Sequence, residues 1–168
     1  MFEMHKDCST FNSIHVRRND FSTAYPMFSI GSAEDYYRST LKNVLEEASV
    51  VFVATDEENK TWYDPIREHY NLLFLDDFKD LLHLVRIDEY AMVEQLVCSR
   101  GDSFVGVYGS TLSSYIMRLR GYRGQTKSFY HCGESKRQSC KNAMQDYHKV
   151  SQFPFVREFP LAWENIAS

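Results

Sequence analysis

The chain has 168 residues, of which 43% are hydrophobic and 25% charged, and its formal net charge is −4 at pH 7. This length suits one domain with a sizeable core, and the composition excludes a disordered or fibrous chain. The acidic balance argues against a general nucleic-acid binder, and no apolar run is long enough to span a membrane. The polar start, MFEMHKDCST, is not that of a signal peptide, so we expect either a cytosolic chain or one whose true amino terminus lies elsewhere.

The predicted elements alternate between strands and helices. In chain order they are strand 11–17, helix 32–47, strand 49–55, helix 61–70, strand 71–75, helices 76–84 and 88–99, strand 103–107 and helix 110–120. This order predicts an α/β fold with a Rossmann-like, mostly parallel sheet and helices on both faces. No repeat or linker divides the chain, so we expect one domain over residues 1–168, with an irregular tail from about residue 122.

Polar residues follow three of the predicted strands. The strand ends are HVRRND (15–20), VATDE (53–57) and VGVYGSTLSSY (105–115), the last of which leads into a helix. Parallel strands end at one edge of a sheet, where open α/β sheets bind ligands. The guanidinium of Arg17 matches the oxygens of a phosphate, and a helix start adds free N–H groups beside the hydroxyls of Ser110 and Thr111. The sequence therefore predicts a phosphate-type anion site at this edge.

Each of these features also has a simpler structural explanation. Ser and Thr are common helix caps, and Arg17 or Arg18 could merely pair with Asp20 or another surface carboxylate. Strand alternation lets only one of those arginines point to a given face, so at most one is expected to be catalytic. His15 shares the face of Arg17 and could be a core histidine held by a hydrogen bond. These alternatives stay open at the level of sequence.

Other chemistry has less support in the sequence. Asp56 and Glu57 could bind a hydroxyl or a metal ion, or they could only mark the start of a helix. The Walker A, GxGxxG, HExxH and GxSxG motifs are missing from the sequence. Their absence argues against kinases, dehydrogenases, zinc proteases and α/β-hydrolases.

The four cysteines fall into different settings. Cys132 and Cys140 flank GESKRQS, a segment typical of a turn that lacks the CxxC spacing of a zinc site. We expect a small disulfide loop there, which implies an oxidising compartment, and two reduced surface cysteines are the alternative. Cys98, within MVEQLVC, is expected to be a buried free thiol, and Cys8 has no assigned role.

Five segments together resemble, in this order, the carboxyl-terminal half of the GDP-fucose protein O-fucosyltransferases. They are SIHVRRNDF, VFVATDEENK, LFLDDF, YAMVEQLVCSRGDSFVGVYGSTLSSYIMRLRGY and YHCGESKRQSC. The segment around Cys132 and Cys140 is most similar to the branch acting on thrombospondin-type repeats, and MRLRGY is also similar to plant members. The resemblance covers about residues 11–140.

The resemblance implies the second, donor-binding domain of a GT-B glycosyltransferase. It implies inverting transfer of fucose from GDP-fucose to a Ser or Thr hydroxyl of a thrombospondin-type or EGF-like repeat. The expected location is the endoplasmic reticulum or Golgi lumen, and no metal or other cofactor is obligatory. Alternatives are a non-catalytic module that binds GDP-fucose or a protein, and a related fucosyltransferase acting on glycans.

Motif by motif, the resemblance also assigns site residues. The positions that match GDP-fucose ligands are His15, Val16, Arg17, Glu94, Ser110, Thr111 and Leu112. Arg17 matches the catalytic arginine on the β-phosphate and glycosidic oxygen, and Glu94 matches an acid that recognises guanine. The family usually has Asp in place of Glu94 and Phe in place of Leu112. The amino-terminal GT-B domain, with its Gly-rich loop and proposed catalytic base, is not in this sequence, so we expect a fragment or an inactive relative.

Overall fold

The structure, a computed structural model, describes residues 10–131 and contains one sheet of five parallel strands. The strands are β1 Asn12–Val16, β2 Val50–Thr55, β3 Asn71–Phe74, β4 Phe104–Val107 and β5 Ser128–His131. The helices are α1 Asn19–Ala24, α2 Ala33–Ser39, α3 Asp64–Arg67, α4 Lys79–Leu82, α5 Tyr90–Cys98 and α6 Thr111–Tyr122. Short 3-10 turns lie at Pro26–Phe28, Leu41–Asn43, Lys60–Tyr63, Leu75–Phe78 and Ile87–Glu89. The α/β class predicted from the sequence is confirmed.

Strand β1 lies in the middle of the sheet, whose order is β3-β2-β1-β4-β5. It pairs with β2 from Asn12 opposite Val51 to Val16 opposite Thr55, and with β4 through Ser13 opposite Phe104. The chain winds outward from β1 to β3, then returns to the other side of β1 to form β4. The carboxyl ends of β1 and β4 therefore border the point where the strand order reverses, which is the usual ligand site of such sheets.

Alternate residues of the strands face two separate core clusters. One face buries the side chains of Ile14, Val53 and Val105, and α2 and α3 cover it with residues such as Tyr36 and Ile66. The other face is covered by α5 and α6, with a core of Phe52, Ala54, Phe104, Cys98, Ile116 and Met117. Because both faces of the sheet are buried, the strand sequences are nearly continuous runs of apolar residues.

A buried arginine fixes the last turns of α6. Arg120 is fully buried, and its guanidinium donates to the main-chain oxygens of Cys98, Gly101, Asp102 and Lys127 and to the Ser128 hydroxyl, at 2.5 to 3.5 Å. These partners precede β4 and begin β5. One side chain therefore joins α6 to the entries of two neighbouring strands.

Several segments differ from the predicted elements. The predicted helices 61–70 and 76–84 each begin as a 3-10 turn and keep only four α-helical residues, in α3 and α4. The predicted helix 32–47 ends at Ser39, because Thr40 leaves the helical conformation with φ −133° and the chain continues as a 3-10 turn that buries Leu41. Helix α1 was not predicted, and β5 lies in a segment expected to be irregular. β5 is only four residues long, and its partner β4 is supplied by another part of the chain. A long-range pairing of this kind leaves little local signal.

Two predictions about cysteines have different outcomes. Cys98 is a buried free thiol, as the sequence predicted. The disulfide between Cys132 and Cys140 lies outside the described residues and stays a prediction. No helix within residues 10–131 is both long and apolar enough to cross a membrane.

Candidate functional site

The candidate site lies at the carboxyl ends of β1, β2 and β4. Arg17 and Arg18 follow β1 directly, Asp56 follows β2, and Ser110 stands two residues beyond Tyr108 after β4. β2 and β4 flank β1 in the sheet, so these three loops are neighbours. The structure thus brings the predicted arginine and the predicted helix start to the same edge, at the reversal point of the strand order.

Arg17 is held by two carboxylates. Its Nη2 atom donates to both oxygens of Asp20, at 2.8 and 3.1 Å, and its Nε atom lies 3.3 Å from Oδ2 of Asp56. The second contact is an ion pair whose angle is not that of a hydrogen bond. The side chain remains 36% exposed. A cation that is fixed on one side and open on the other can meet an anionic ligand without first being buried.

Asp56 organises the loop after β1. Its Oδ1 accepts the main-chain N–H of Arg18 at 2.9 Å, and the Asn19 side-chain amide donates to its main-chain oxygen. Its Oδ2 faces Arg17. The sequence suggested a hydroxyl or metal ligand, or a helix start, for this residue. The structure instead shows a contact between two strand ends that are 38 residues apart.

Arg18 points to a different group of residues. Its Nη1 pairs with Glu57, and its guanidinium lies 4.5 Å from the centre of the Trp62 ring. Both arginines are therefore paired, which is the arrangement that the simpler explanation expected. They differ in their partners, as strand alternation required.

His15 joins β1 to α6. Its Nδ1 shares a 2.7 Å hydrogen bond with the Ser113 hydroxyl, whose oxygen also accepts the Val107 N–H at 2.9 Å. Burial, and then the charge of Arg17, lower the pKa of His15 to about 3, so the ring is neutral near pH 7. A Cβ at Gly106 would lie 2.8 Å from the Ser113 side chain, so glycine permits this close approach.

The start of α6 leaves its first N–H groups without a capping side chain. Ser110 occupies the N-cap position and is buried, but its hydroxyl makes no capping bond among the described residues. Gly109 precedes it with φ +82°, a conformation that favours glycine. Thr111 is exposed, and Leu112 packs against the core beneath α6. Free N–H groups at a helix start are suited to phosphate oxygens.

Glu94 lies in a small cavity beyond the end of β2. The cavity has a volume of about 180 Å³ and is lined by Val53, Thr55, Lys60, Phe74, Leu75, Asp76, Tyr90 and Glu94. The Glu94 carboxylate accepts the Thr55 N–H at 3.4 Å. Burial raises the pKa of Glu94 to about 7, against the opposing effects of the Thr55 N–H and Lys60. The carboxyl group therefore changes its charge near neutral pH.

The remaining site residues differ in how their side chains are placed. The Val16 side chain is fully buried in the core, so only its main chain reaches the site edge. Glu94 is separated from Arg17 by the end of β2, where Thr55 pairs with Val16. Ser113 and Trp62 were not predicted as site residues, and their roles follow from contacts across 98 and 44 residues, respectively. Within residues 10–131, no three or more His, Cys, Asp or Glu residues form a group that could hold a metal ion.

Comparison with models of known protein families identifies the family of this chain. A family model described as O-FucT, GDP-fucose protein O-fucosyltransferase, matches residues 3–123, which is more than half of the chain. It covers β1 to β4 and all of α1 to α6. Among curated proteins, none matches the chain with significance.

Proposed function

The chain belongs to the GDP-fucose protein O-fucosyltransferase family, and from this premise we propose that it binds GDP-fucose and supports transfer of fucose to a protein hydroxyl. One observation carries the proposal. Arg17 follows β1 and the uncapped start of α6 follows β4, and these neighbouring strands border the point where the strand order reverses. An arginine and a helix start are complementary ligands for the two phosphates of a nucleotide sugar. The match to the family supports GDP-fucose as the donor, and the site geometry supports these groups as its ligands.

Arg17 would act on charge that appears during the reaction. As the bond to fucose breaks, negative charge grows on the GDP and the sugar gains oxocarbenium character. A fixed guanidinium on the β-phosphate stabilises that charge more in the transition state than in the bound donor. In this role Arg17 replaces a metal ion, so no obligatory metal is part of the proposal. The transfer is expected to invert the configuration at the sugar.

Glu94 would bind the guanine base. The cavity around it is smaller than the roughly 300–1,000 Å³ typical of whole ligand pockets, so it suits one part of the nucleotide. An ionised carboxylate can accept two hydrogen bonds from the N1–H and N2–H groups of guanine. Lys60 and Tyr90 line the same cavity and offer further polar contacts. A carboxyl side chain in this position favours guanine over bases that lack paired donors.

The other assigned residues would support the donor less directly. Ser110 is the N-cap of α6, and its N–H already donates to the Val107 oxygen at 3.2 Å. The main-chain N–H groups of Thr111 and Leu112, together with the Ser110 and Thr111 hydroxyls, are therefore the groups offered to the phosphates. Val16 would contribute main-chain groups. His15 would set the position of α6 against β1 through Ser113, because its neutral ring is buried away from solvent.

The acceptor and the cellular location also belong to the proposal. The segment around Cys132 and Cys140 favours a thrombospondin-type repeat as acceptor, with an EGF-like repeat as the alternative. The same segment, if it forms a disulfide, requires an oxidising compartment, which favours the endoplasmic reticulum or Golgi lumen.

Calorimetry followed by a transfer assay tests this function. We expect the full chain to bind GDP-fucose and GDP, and to bind UDP at least tenfold more weakly, about 1.4 kcal/mol, because Glu94 selects guanine. Thrombospondin-type repeats, EGF-like repeats and glycans are then offered side by side as acceptors. Binding without transfer to any of them would favour the non-catalytic module, and equal affinity for UDP would refute the guanine site.

The Arg17→Ala variant tests the central residue. Loss of the Arg17 guanidinium should weaken GDP-fucose binding and reduce any transfer rate by about a hundredfold or more. Arg86→Ala is the matched control, because Arg86 is also an exposed arginine paired with an aspartate but stands just before the 3-10 turn Ile87–Glu89 rather than at the end of a strand. A wild-type rate in the Arg17 variant would contradict the proposed role.

A further inference from the structure

Two carboxylates bind the same guanidinium but differ greatly in exposure. The Asp56 side chain is 20% exposed, whereas the Asp20 side chain is 75% exposed. We propose that Asp56 is a permanent positioning partner of Arg17, and that Asp20 occupies the place of a donor phosphate and leaves when the donor binds. The inference rests on the proposed function of Arg17 as a phosphate ligand and adds a competing anion within the chain.

Asp56 is built into the loop after β1. It accepts the Arg18 N–H at 2.9 Å and faces the Nε atom of Arg17 at 3.3 Å, and both of the facing atoms are buried. Moving this carboxylate would leave the Arg18 N–H without an acceptor and the buried Nε atom without its ion-pair partner. An unpaired buried group carries a large desolvation penalty. Asp56 therefore stays in place and directs the guanidinium by its inner nitrogen.

Asp20 binds the outer end of the same guanidinium. Both of its oxygens share Nη2, at 2.8 and 3.1 Å, and the pair is formed between residues three apart in sequence. Exposed ion pairs of this kind contribute little free energy, because water competes for both charges. A diphosphate carries more charge than a carboxylate, and at this edge it also meets the N–H groups of α6. Exchange of Asp20 for a phosphate is therefore favourable.

The charges around Arg17 support this division of roles. His15, on the same face of β1, is neutral because its pKa is lowered, so it does not compete for an anion or repel the arginine. Glu57, the next acid along the chain, is already paired with Arg18. Among the described residues, Asp20 is thus the exposed acid in contact with the nitrogen that faces outward.

The two aspartates should respond in opposite directions to neutralisation. Asp20→Asn removes the competing anion, so the affinity for GDP should rise about two- to fivefold, which is the range that exposed ion pairs contribute to an equilibrium. Asp56→Asn releases the inner nitrogen of Arg17, so the affinity should fall. A purely structural role for Asp20 predicts no gain in affinity.

Calorimetry on the full chain separates this inference from the proposed function. Each variant is titrated with GDP and with inorganic pyrophosphate, and Asp88→Asn serves as the control because it removes the same charge from a paired, exposed aspartate elsewhere. A higher affinity for both GDP and pyrophosphate in Asp20→Asn, and in neither of the other two variants, supports the inference. GDP binding by the wild type without a gain in the variant overturns the inference and leaves the function standing. If Asp20→Asn binds pyrophosphate more tightly but the chain shows no preference for GDP, the inference stands and the proposed function is refuted. If no variant binds either ligand, both are overturned.

A double-mutant cycle with Arg17→Ala distinguishes exchange from general repulsion. If Asp20 competes for the arginine, Asp20→Asn should change the affinity by less than about twofold once Arg17 is absent. An equal gain in both backgrounds would overturn the exchange. Circular dichroism checks folding, and Asp20→Ser repeats the test if the asparagine variant is unstable.

Discussion

The pH dependence of donor binding follows from the cavity around Glu94. The pKa of this carboxyl is raised to about 7, and guanine requires its ionised form. At pH 8 about nine-tenths of the groups are ionised and at pH 6 about one-tenth, so the affinity for the donor should fall about tenfold between these values. The proton and guanine compete for the same carboxylate. The affinity for the donor is therefore high above the pKa of Glu94 and is lost as the pH falls through it.

Calorimetry with GDP-fucose at pH 6, 7 and 8 measures this effect. GDP-fucose is preferable to GDP because a terminal phosphate group itself titrates at about pH 6. The Glu94→Gln variant should bind weakly at all three values, and Glu89→Gln, an exposed acid just before the same helix, should keep the wild-type profile. If the wild-type affinity is flat from pH 6 to pH 8, or if Glu94→Gln retains the slope, guanine does not bind at this carboxylate.

Two further predictions concern the helix that carries the phosphate site. Arg120→Met should lower the free energy of unfolding by about 3–5 kcal/mol, because several buried carbonyl groups lose a charged donor, whereas Arg123→Met should cost about 1 kcal/mol or less. Urea unfolding followed by circular dichroism measures both, and equal costs would contradict the buried anchor. Ser113→Ala should cost about 1–3 kcal/mol and weaken GDP binding, since the His15 ring and a strand N–H lose their partner. Ser114→Ala removes a bond to the Ser110 carbonyl and a long, 3.5 Å contact with the Tyr130 hydroxyl, and it should leave both measurements near wild type.

The sheet could be predicted because its strands are apolar and buried on both faces. Strands β1 to β4 follow from runs such as SVVFVAT, which are typical of strands covered on both faces. Helix 32–47 was predicted too long because Leu41 and Leu45 are spaced as in a helix, but Leu41 reaches the core from a 3-10 turn and Leu45 from the bend that follows it. The spacing of apolar residues indicates which side chains are buried, but more than one backbone conformation can bury the same pair.

The candidate site was only partly accessible to sequence reasoning. Arg17 stands out because two arginines close an apolar strand, and the start of α6 stands out because Gly109 and hydroxyl residues follow another. Pairing with Asp20 was an alternative at the level of sequence, but the second partner of Arg17 did not stand out, because Asp56 reaches it only when β2 lies beside β1. The burial of His15 likewise depends on a serine in a helix packed from the other half of the domain.

The attachment of α6 has a consequence for changing the donor. Its first turn is tied to β1 and β4 through Ser113, and its last turns are tied to the entries of β4 and β5 through Arg120. A helix fastened at both ends cannot slide to make room for a larger sugar or a longer phosphate chain. Engineering toward other nucleotide sugars should therefore vary the loops that follow β1 and β2 and keep α6 unchanged.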